Sequence, residues 1–228
     1  MNENVTSNLP AIIAIAAAAL ITIGSAYLSR VALPRQIDRA YRASLSALAA
    51  AVETKDSETV GHARRVADYA VAIARDLGYP PDQMQQIEHS ALLRDIGKVN
   101  VPHSVLNKAE ALTPEEFERV KSHVQTGADM VSQAPFLARC AEIILHHHER
   151  CDGSGYPDGL RAEEIPLGAR IVAVADDYDA MTSDRPYHKA LPPETAIQII
   201  RQGTGTLYDP VVAKSFLKVV GREGLAAA

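Results

Sequence analysis

The spacing of apolar residues constrains the fold of this chain more than any other feature. Apolar side chains recur every three or four positions in one segment after another, which is the pattern of helices with one buried face. In the segment 59–77, for example, Val66, Ala70 and Ile73 share a face. Because no segment shows a convincing strand alternation, the sequence predicts an all-α domain. Further helices are predicted at about 137–148, 167–181, 193–203 and 210–220.

Helix start signals support this assignment. Pro81 and Pro193 stand where first helical turns are expected, and proline is well tolerated at that position. The segment TPEE at 113–116 has the form of a capping box with proline at the first helical position. Asp209 precedes Pro210 and is expected to cap the last helix.

The segment from Leu9 to Ser29 contains no charged residue and is long enough to cross a bilayer as a helix. We therefore predict a membrane anchor at residues 1–30. A cleaved signal peptide is one alternative, but Glu3 precedes the segment and no lysine or arginine does, so the expected positive leader is missing. Because the segment is rich in alanine, a buried or interfacial helix is a second alternative.

Positive charge follows this segment. The positive-inside rule then places the N-terminus outside and the rest of the chain in the cytoplasm. The predicted location is the cell inner membrane, in a single pass, with the folded domain on the cytoplasmic side. The charges are those of Arg30, Arg35, Arg39 and Arg42.

Residues 31–53 are predicted to form a juxtamembrane helix with one apolar stripe. The stripe either pairs with a second copy of the chain, which would give a homodimer, or packs on the domain that follows. That domain is predicted to extend over residues 54–228. The stripe consists of Ile37, Tyr41, Leu45, Leu48 and Val52.

Composition argues against one class of partner. The 228 residues carry a formal net charge of -5 at pH 7, so we do not expect the basic face by which proteins grip the phosphates of a DNA or RNA polymer. The two cysteines, Cys140 and Cys151, are too few for a disulfide framework and are expected to act as packing residues.

Six polar residues project from the apolar faces of the predicted helices. Burying four imidazoles and two carboxylates without a shared partner would be costly for each unpaired group. Divalent metal ions satisfy them all, and such mixed ligands suit Fe, Mn, Zn or Ni better than Ca or Mg. The predicted metal ligands are His62, Asp95, His123, His147, His148 and Asp176.

The remaining histidines carry a weaker signal. His89 and His103 are expected to face solvent, and His146 is expected to lie beside the metal ligands or at the surface.

The run HHERCDGSGYPDG at 147–159 joins two adjacent histidines to a glycine-rich turn with Tyr156 and Pro157. Neutral imidazoles are the commonest metal ligands. The turn would bring backbone and one aromatic ring close to whatever the metal holds. This pattern is typical of a metallohydrolase.

Several ordered motifs resemble the HD-GYP family, a branch of the HD phosphohydrolase superfamily that degrades cyclic di-GMP and related cyclic dinucleotides. The resemblance runs from about Glu53 to Phe216. It implies an all-helical phosphodiesterase domain with one or two divalent ions, Fe or Mn first and Zn or Ni as alternatives. The motifs are GHARRV at 61–66, LLRDIGKVNVP at 92–102, KSHVQTGADMV at 121–131, ILHHHERCDGSGYPDGL at 144–160, IPLGARIVAVADDYDAMTSDRPYHKAL at 165–191 and LYDP at 207–210.

The resemblance implies two metal sites that share the Asp95 carboxylate. Glu58 stands where some members of the family supply a ligand to a third ion, and the alternative is an exposed glutamate in a first helical turn. The first site would add His62 and Asp176 to Asp95, and the second would add His123, His147 and His148.

Substrate contacts are also implied by the resemblance. Lys98 would bind one phosphate, Arg185 would hold the other phosphate or a guanine, and Tyr156 would line the base pocket. His188 stands in the phosphate-binding stretch, where many members carry arginine or lysine. A histidine there would make affinity more dependent on pH.

The implied chemistry is metal-assisted hydrolysis, in which two ions activate a bridging water and neutralise the phosphodiester oxygens. Asp95, Lys98 and Asp179 are the predicted catalytic residues. Asp179, one turn after Asp176, would orient a histidine or the water.

Arg94 departs from the family pattern. The chain has Arg94-Asp95 where the family has a His-Asp pair, so one ligand of the first metal is absent. A guanidinium stays protonated and offers no lone pair, and its charge near Asp95 and Asp176 would repel a dication. The first site is therefore expected to be empty or weak, while the second keeps its ligands.

Two functional hypotheses follow from these observations. The first is a membrane-anchored cyclic di-GMP phosphodiesterase. The second, which rests on Arg94, is a degenerate member that binds a cyclic dinucleotide or a protein partner and signals without hydrolysis. Hydrolysis of another phosphoester at a one-metal site is a third alternative.

Overall fold

The computed structural model describes residues 3–55, 61–108, 110–184 and 189–223. Within these ranges the regular structure is helical, with no β-strand and two isolated bridge pairs, which confirms the all-α prediction. In chain order the helices are α1 (Glu3–Tyr27), α2 (Leu33–Glu53), α3 (His62–Asp76), α4 (Pro81–Leu93), α5 (His103–Leu106), α6 (Pro114–Lys121), α7 (His123–Ser132), α8 (Ala141–His146), α9 (Leu167–Thr182), α10 (Pro193–Gln202) and α11 (Pro210–Glu223).

The chain divides into two compact units, one up to Ser44 and one from Leu45 onward. The first unit holds α1 and the beginning of α2, which are joined by a π-helical turn at Leu28–Ala32. Among the described residues, the helical stretch Ala16–Glu53 is long and apolar enough to cross a membrane, by length and composition. Membrane insertion and the predicted domain boundaries stay predictions.

The second unit is built around α3, α4 and α9, with α8, α10 and α11 packed against them and α7 packed on α8 and on the 3₁₀ turn Ile96–Asn100. The face predicted for α3 is the buried one, since Val66, Ala70 and Ile73 have no exposed surface. Val172 on α9 is equally buried. This packing gives the unit one apolar core.

The helix start signals behave as predicted. Thr113 and Glu116 form the capping box of α6, and proline stands at the start of α4 and α10. Asp209 caps α11, because its Oδ1 accepts hydrogen bonds from the amides of Val211 and Val212 at 2.8 and 3.0 Å. Each cap satisfies amides that the first helical turn leaves without a partner.

Helix α3 has a cap that comes from another helix. The buried carboxylate of Glu53, the last residue of α2, accepts hydrogen bonds from the amides of Gly61 and Ala63 at 2.9 and 2.5 Å. A negative charge at a helix N-terminus is stabilising. The contact fixes the start of α3 and therefore the position of His62, its first residue.

Gly97 allows a close approach between two segments of the site. It lies in the 3₁₀ turn Ile96–Asn100, directly after Asp95 and Ile96. A β-carbon at this position would collide with the carbonyl oxygen of His123 and the amide nitrogen of Gly127. Only glycine therefore lets this turn lie against α7, and the contact brings Asp95 beside His123.

Candidate metal centre

Helix ends bring the predicted ligands together. Helices α3 and α7 begin at His62 and His123, and α8 ends directly before His147. Periodicity placed Asp95 on the buried face of the helix that is α4, but the residue lies in the turn directly after that helix. Asp176 is the exception, because it lies within α9.

One group of side chains has the geometry of a metal site. Its ligand atoms all lie within 4.8 Å of one another. The rings of its two adjacent histidines have centroids 4.0 Å apart. This group, called the histidine cluster below, consists of Asp95, His123, His147 and His148.

Backbone hydrogen bonds orient two imidazoles of the histidine cluster. Nδ1 of His123 donates to the Val120 carbonyl at 2.6 Å, and Nδ1 of His147 donates to the Ile144 carbonyl at 2.7 Å. The Nε2 atom of each ring is buried and has no hydrogen-bond partner among the described residues. A neutral ring that donates through Nδ1 carries its lone pair on Nε2, where a metal can bind.

Burial keeps the rings of the histidine cluster neutral. It lowers the pKa of His147 to about 4 and the pKa of His148 well below its ordinary value. It also lowers the pKa of His123, even though Asp95 opposes the shift. Three neutral imidazoles and a carboxylate suit Fe, Mn, Zn or Ni. The histidine cluster therefore fits a divalent metal ion.

The guanidinium of Arg94 lies among the ligands predicted for the first metal. Its Nη2 atom is 2.5 Å from His62 Nε2, 3.0 Å from Asp176 Oδ1 and 3.2 Å from Asp95 Oδ2. Its Nη1 atom donates to the Ala91 carbonyl at 2.9 Å, and the residue is only 1% exposed. All three side chains that the resemblance assigns to the first ion thus contact one arginine nitrogen.

Asp95 lies between two cations. Lys98 Nζ is 3.0 Å from Oδ1, while Arg94 contacts Oδ2. Burial alone would raise the pKa of Asp95, but Lys98 and Arg94 hold it well below its ordinary range. Burial also opposes ionisation of Asp176, whose pKa is lowered by Arg94 and by a hydrogen bond with His62. Both carboxylates are therefore ionised at neutral pH.

His62 faces a carboxylate on each side. Nδ1 lies 2.6 Å from Asp179 Oδ2, and Nε2 lies 3.2 Å from Asp176 Oδ1. Burial and Arg94 lower the pKa of His62, whereas Asp176 and Asp179 raise it, with a net value of about 9. An imidazolium, however, could not accept the Arg94 N–H at 2.5 Å, and arginine keeps its protons. We therefore assign a neutral His62 that donates from Nδ1 to Asp179.

Asp179 has the contacts of a residue that orients His62. Its carboxylate also accepts two hydrogen bonds from Arg65, at 2.6 and 2.9 Å, and one from Ser183 at 3.2 Å. Burial raises its pKa, but the hydrogen bonds with His62 and Arg65 lower it overall. Asp179 is therefore an ionised group held on three sides, as expected of a residue that acts through a histidine.

Tyr156 extends the site away from the histidine cluster. Its ring stacks on His148 with centroids 4.8 Å apart, and Lys121 Nζ lies 5.8 Å from the tyrosine centroid. A groove of about 200 Å³ adjoins the ring and is also lined by Ser122 and Gln125. An aromatic ring beside an ammonium group can stack a nucleobase while the cation faces its phosphate.

Sequence patterns do not identify Glu149, although it directly follows the histidine pair. The residue is 2% exposed, and its carboxylate accepts hydrogen bonds from the amides of Asp158, Gly159 and Leu160 at 2.7, 3.0 and 3.1 Å. It thereby ties the glycine-rich turn to the end of α8. The one available signal was its place inside the run at 147–159.

Replacing Glu149 by glutamine is expected to loosen this turn, because an amide cannot accept at both of its terminal atoms. We expect a loss of about 1–3 kcal/mol in the stability of the turn, the cost of a buried group left without its partner. Hydrogen exchange of the amides at 158–160 measures it directly. The matched control is Glu142→Gln on the exposed face of α8. Equal exchange in the two variants would contradict the assigned role.

A second support that sequence patterns do not identify is the ion pair between Arg150 and Asp177. The guanidinium donates to both carboxylate oxygens at 2.6 and 3.1 Å, and the Tyr208 hydroxyl donates to the same carboxylate at 2.8 Å. These contacts connect the glycine-rich turn with α9 and with the LYDP motif at 207–210. Their partners are too far apart along the chain for a local pattern to join them.

The outcome differs for several other residues singled out in the sequence. Glu58, Arg185 and His188 fall outside the described residues. His89 was expected to face solvent, and this was wrong, since it is 5% exposed. The whole of 87–94 is buried because α3, α8 and α9 all pack around the end of α4.

The other two histidines that were not predicted as metal ligands lie where expected. His103 is exposed. His146 contacts the exposed carboxylate of Asp158 at 3.0 Å, which places it beside the turn rather than in the histidine cluster.

Comparison with known proteins assigns the chain to a class. The profile of the HD domain family matches residues 46–212, and the chain belongs to that family. Within the family, its relatives and motifs place it in the HD-GYP branch, as the motif order predicted.

Two curated relatives show the extent of the similarity. The chain is 46% identical over 169 residues to a cyclic di-GMP phosphodiesterase of Thermotoga maritima, covering 73% of this chain and 46% of that protein. It is 41% identical over 185 residues to the cyclic di-GMP phosphodiesterase response regulator RpfG of Xanthomonas campestris pv. campestris, covering 80% and 49%. The chain thus spans about half the length of these relatives.

A solved structure shares the fold. A cyclic GMP-AMP-specific phosphodiesterase from Vibrio cholerae superposes with a TM-score of 0.62 at 19% identity, over 79% of this chain and 48% of that one. At this identity the comparison supports the helical architecture alone.

Proposed function

We propose that the unit from Leu45 onward is a metal-dependent phosphodiesterase that hydrolyses cyclic di-GMP or a closely related cyclic dinucleotide. The observation that carries the proposal is the histidine cluster, whose buried Nε2 atoms on His123 and His147 have no hydrogen-bond partner among the described residues. Relatives named as cyclic di-GMP phosphodiesterases support the substrate class. They lend no support to the alternative of a receptor without catalysis.

The proposed metal ligands are the four members of the histidine cluster. When bound there, a divalent ion supplies positive charge to the phosphodiester oxygens and lowers the pKa of a coordinated water. Hydrolysis consumes one water, breaks one P–O bond and opens the ring to a linear dinucleotide. Fe and Mn are the proposed ions, with Zn and Ni as alternatives.

The chain's own residues bind and orient the substrate in this proposal. Lys98 is 11% exposed and lies beside Asp95, where its ammonium can face a phosphate near the histidine cluster. Tyr156 and the adjoining groove receive a base, and Lys121 adds positive charge at the rim. Asp179 keeps its place as a positioning residue, because it contacts His62 rather than the histidine cluster.

The N-terminal part is proposed to anchor the protein in the inner membrane with the second unit in the cytoplasm. The support is the length and apolar composition of the stretch that includes Ala16 to Tyr27, together with the arginines that follow it. Of the apolar stripe of α2, the exposed residues Ile37 and Leu48 are proposed to pair with a second copy, because Leu45 and Val52 are buried within the chain. Cysteine accessibility on either side of α1 tests the orientation, and crosslinking along α2 tests the pairing.

The enzymatic proposal is tested with the full chain in detergent, purified without oxygen, stripped of metal and reloaded with Mn²⁺ or Fe²⁺. Chromatography of products from cyclic di-GMP, cyclic GMP-AMP and cyclic di-AMP identifies the substrate. We expect cyclic di-GMP to be consumed by the loaded protein and to survive in the presence of chelator. Tight binding of the nucleotide without product, by protein that contains metal, would contradict hydrolysis and favour a receptor.

A further inference from the structure

We infer that the guanidinium of Arg94 takes the place of the first metal ion, so that this chain holds a single divalent ion at the histidine cluster. The inference deepens the proposed function, since it concerns the metal centre on which that function rests. Arg94 does more than remove a metal ligand, because its positive charge balances the carboxylates in place of the absent ion.

The first argument is the position of the arginine nitrogen. Nη2 of Arg94 lies between 2.5 and 3.2 Å from ligand atoms of His62, Asp176 and Asp95. A metal ion bound by these same atoms would have to lie where this nitrogen lies. The guanidinium and an ion therefore exclude each other at the first site.

The second argument is that the arginine is held in place. Its Nη1 atom donates to the carbonyl of Ala91 in the last turn of α4, and the residue is 1% exposed. Its neighbour His62 is itself held by Asp179, which is paired with Arg65. The guanidinium is held through both of its terminal nitrogens, so it cannot move aside to admit an ion without breaking several buried contacts.

The third argument is charge. The two carboxylates of the first site, and a third that contacts His62 from behind, are each already paired with a cation. A dication added at the first site would be surrounded by charges that are already paired, and it would lie against a permanent positive charge. The pairs are Asp176 with Arg94, Asp95 with Lys98, and Asp179 with Arg65.

The histidine cluster differs in the state of its imidazoles. Its imidazoles are neutral, and the Nε2 atoms of His123 and His147 are buried and lack a hydrogen-bond partner among the described residues. Asp95 then serves one ion as a terminal ligand, with its second oxygen on Arg94, instead of bridging two ions.

Metal content per chain tests this inference without reference to turnover. The full chain and its variants are stripped, reloaded with Mn²⁺ without oxygen, freed of excess ion and measured by inductively coupled plasma mass spectrometry. We expect one ion per native chain and two per chain for Arg94→His, which restores the family's histidine. Electron paramagnetic resonance adds a second readout, because isolated and coupled Mn²⁺ ions give different spectra.

Asp176→Asn separates the two sites. In the native background this change should leave one ion, because Asp176 pairs with Arg94 and not with the bound metal. In the Arg94→His background the same change should remove the gained ion. Circular dichroism confirms that each variant is folded before metal is counted.

Two ions in the native chain, or no gain in folded Arg94→His, would overturn the inference. Failure of the proposed function has a different signature. One ion per chain with no hydrolysis of any cyclic dinucleotide would contradict the enzymatic proposal and leave the inference intact. Hydrolysis by a native chain with two ions would overturn the inference and leave the enzymatic proposal intact. A native chain that binds no ion would contradict both the inference and the enzymatic proposal.

Discussion

Replacing His147 by alanine is expected to remove the bound metal and to lower hydrolysis of cyclic di-GMP by at least about 100-fold. The Nε2 atom of His147 is buried in the histidine cluster, and no other described side chain hydrogen-bonds to it. A bound metal contributes several kcal/mol to stabilising a phosphoryl transition state, and each 1.4 kcal/mol or so is about tenfold in rate. Loss of one imidazole from this set should therefore remove the metal and most of the activity.

The matched control for this change is the neighbouring His146. Its Nδ1 atom donates to the Glu142 carbonyl at 3.0 Å and its Nε2 atom contacts Asp158, so it takes no part in the histidine cluster. His146→Ala should keep both metal and activity close to native values. Metal content by mass spectrometry and initial rates with cyclic di-GMP are the two measurements. A His147→Ala protein that retains its ion would show that the cluster does not hold the metal.

Replacing Arg94 by methionine is expected to destabilise the fold by about 3 kcal/mol. Removing one partner of a buried ion pair leaves the other charge uncompensated, which costs roughly 3–5 kcal/mol. Asp176 would lose its guanidinium contact, and His62 would lose its donor at Nε2. We place the effect at the lower end of that range because Lys98 still faces Asp95.

Urea denaturation in the presence of chelator measures this effect, since chelator prevents an ion from filling the vacated position. The matched control is Arg201→Met, at the exposed end of α10. Substitutions of exposed side chains usually change stability by less than about 0.5 kcal/mol, so this change should have little effect. Equal stability of the two variants would show that Arg94 does not hold its three partners together.

The candidate metal centre could be predicted in part from sequence because each residue predicted for either metal site carries a local signal. His147 and His148 are adjacent, and Asp176 lies on an apolar helical face. The substitution at Arg94 is also visible as a departure from a motif. What the arginine does instead could not be predicted, because its contacts with His62 and Asp176 join three separate segments of the chain.

The residues that hold the site in place could not be predicted from the sequence. Glu53 caps the start of α3, and Glu149 holds the glycine-rich turn through three backbone amides. A buried glutamate that binds backbone has the same local pattern as a glutamate in solvent. His89 shows the converse error, since helical periodicity placed it outside while three neighbouring helices bury it.

The sequence by itself determined the helical class, the helix starts and a candidate set of metal ligands, because periodicity, caps and ligand motifs are short-range properties of the chain. The tertiary structure decided how the ligands divide. It grouped His123, His147 and His148 with Asp95, and it placed Arg94 against the Oδ2 atom of that carboxylate. The physical reason is distance along the chain, since His62 meets Asp179 across 117 positions and such contacts form only when the helices pack.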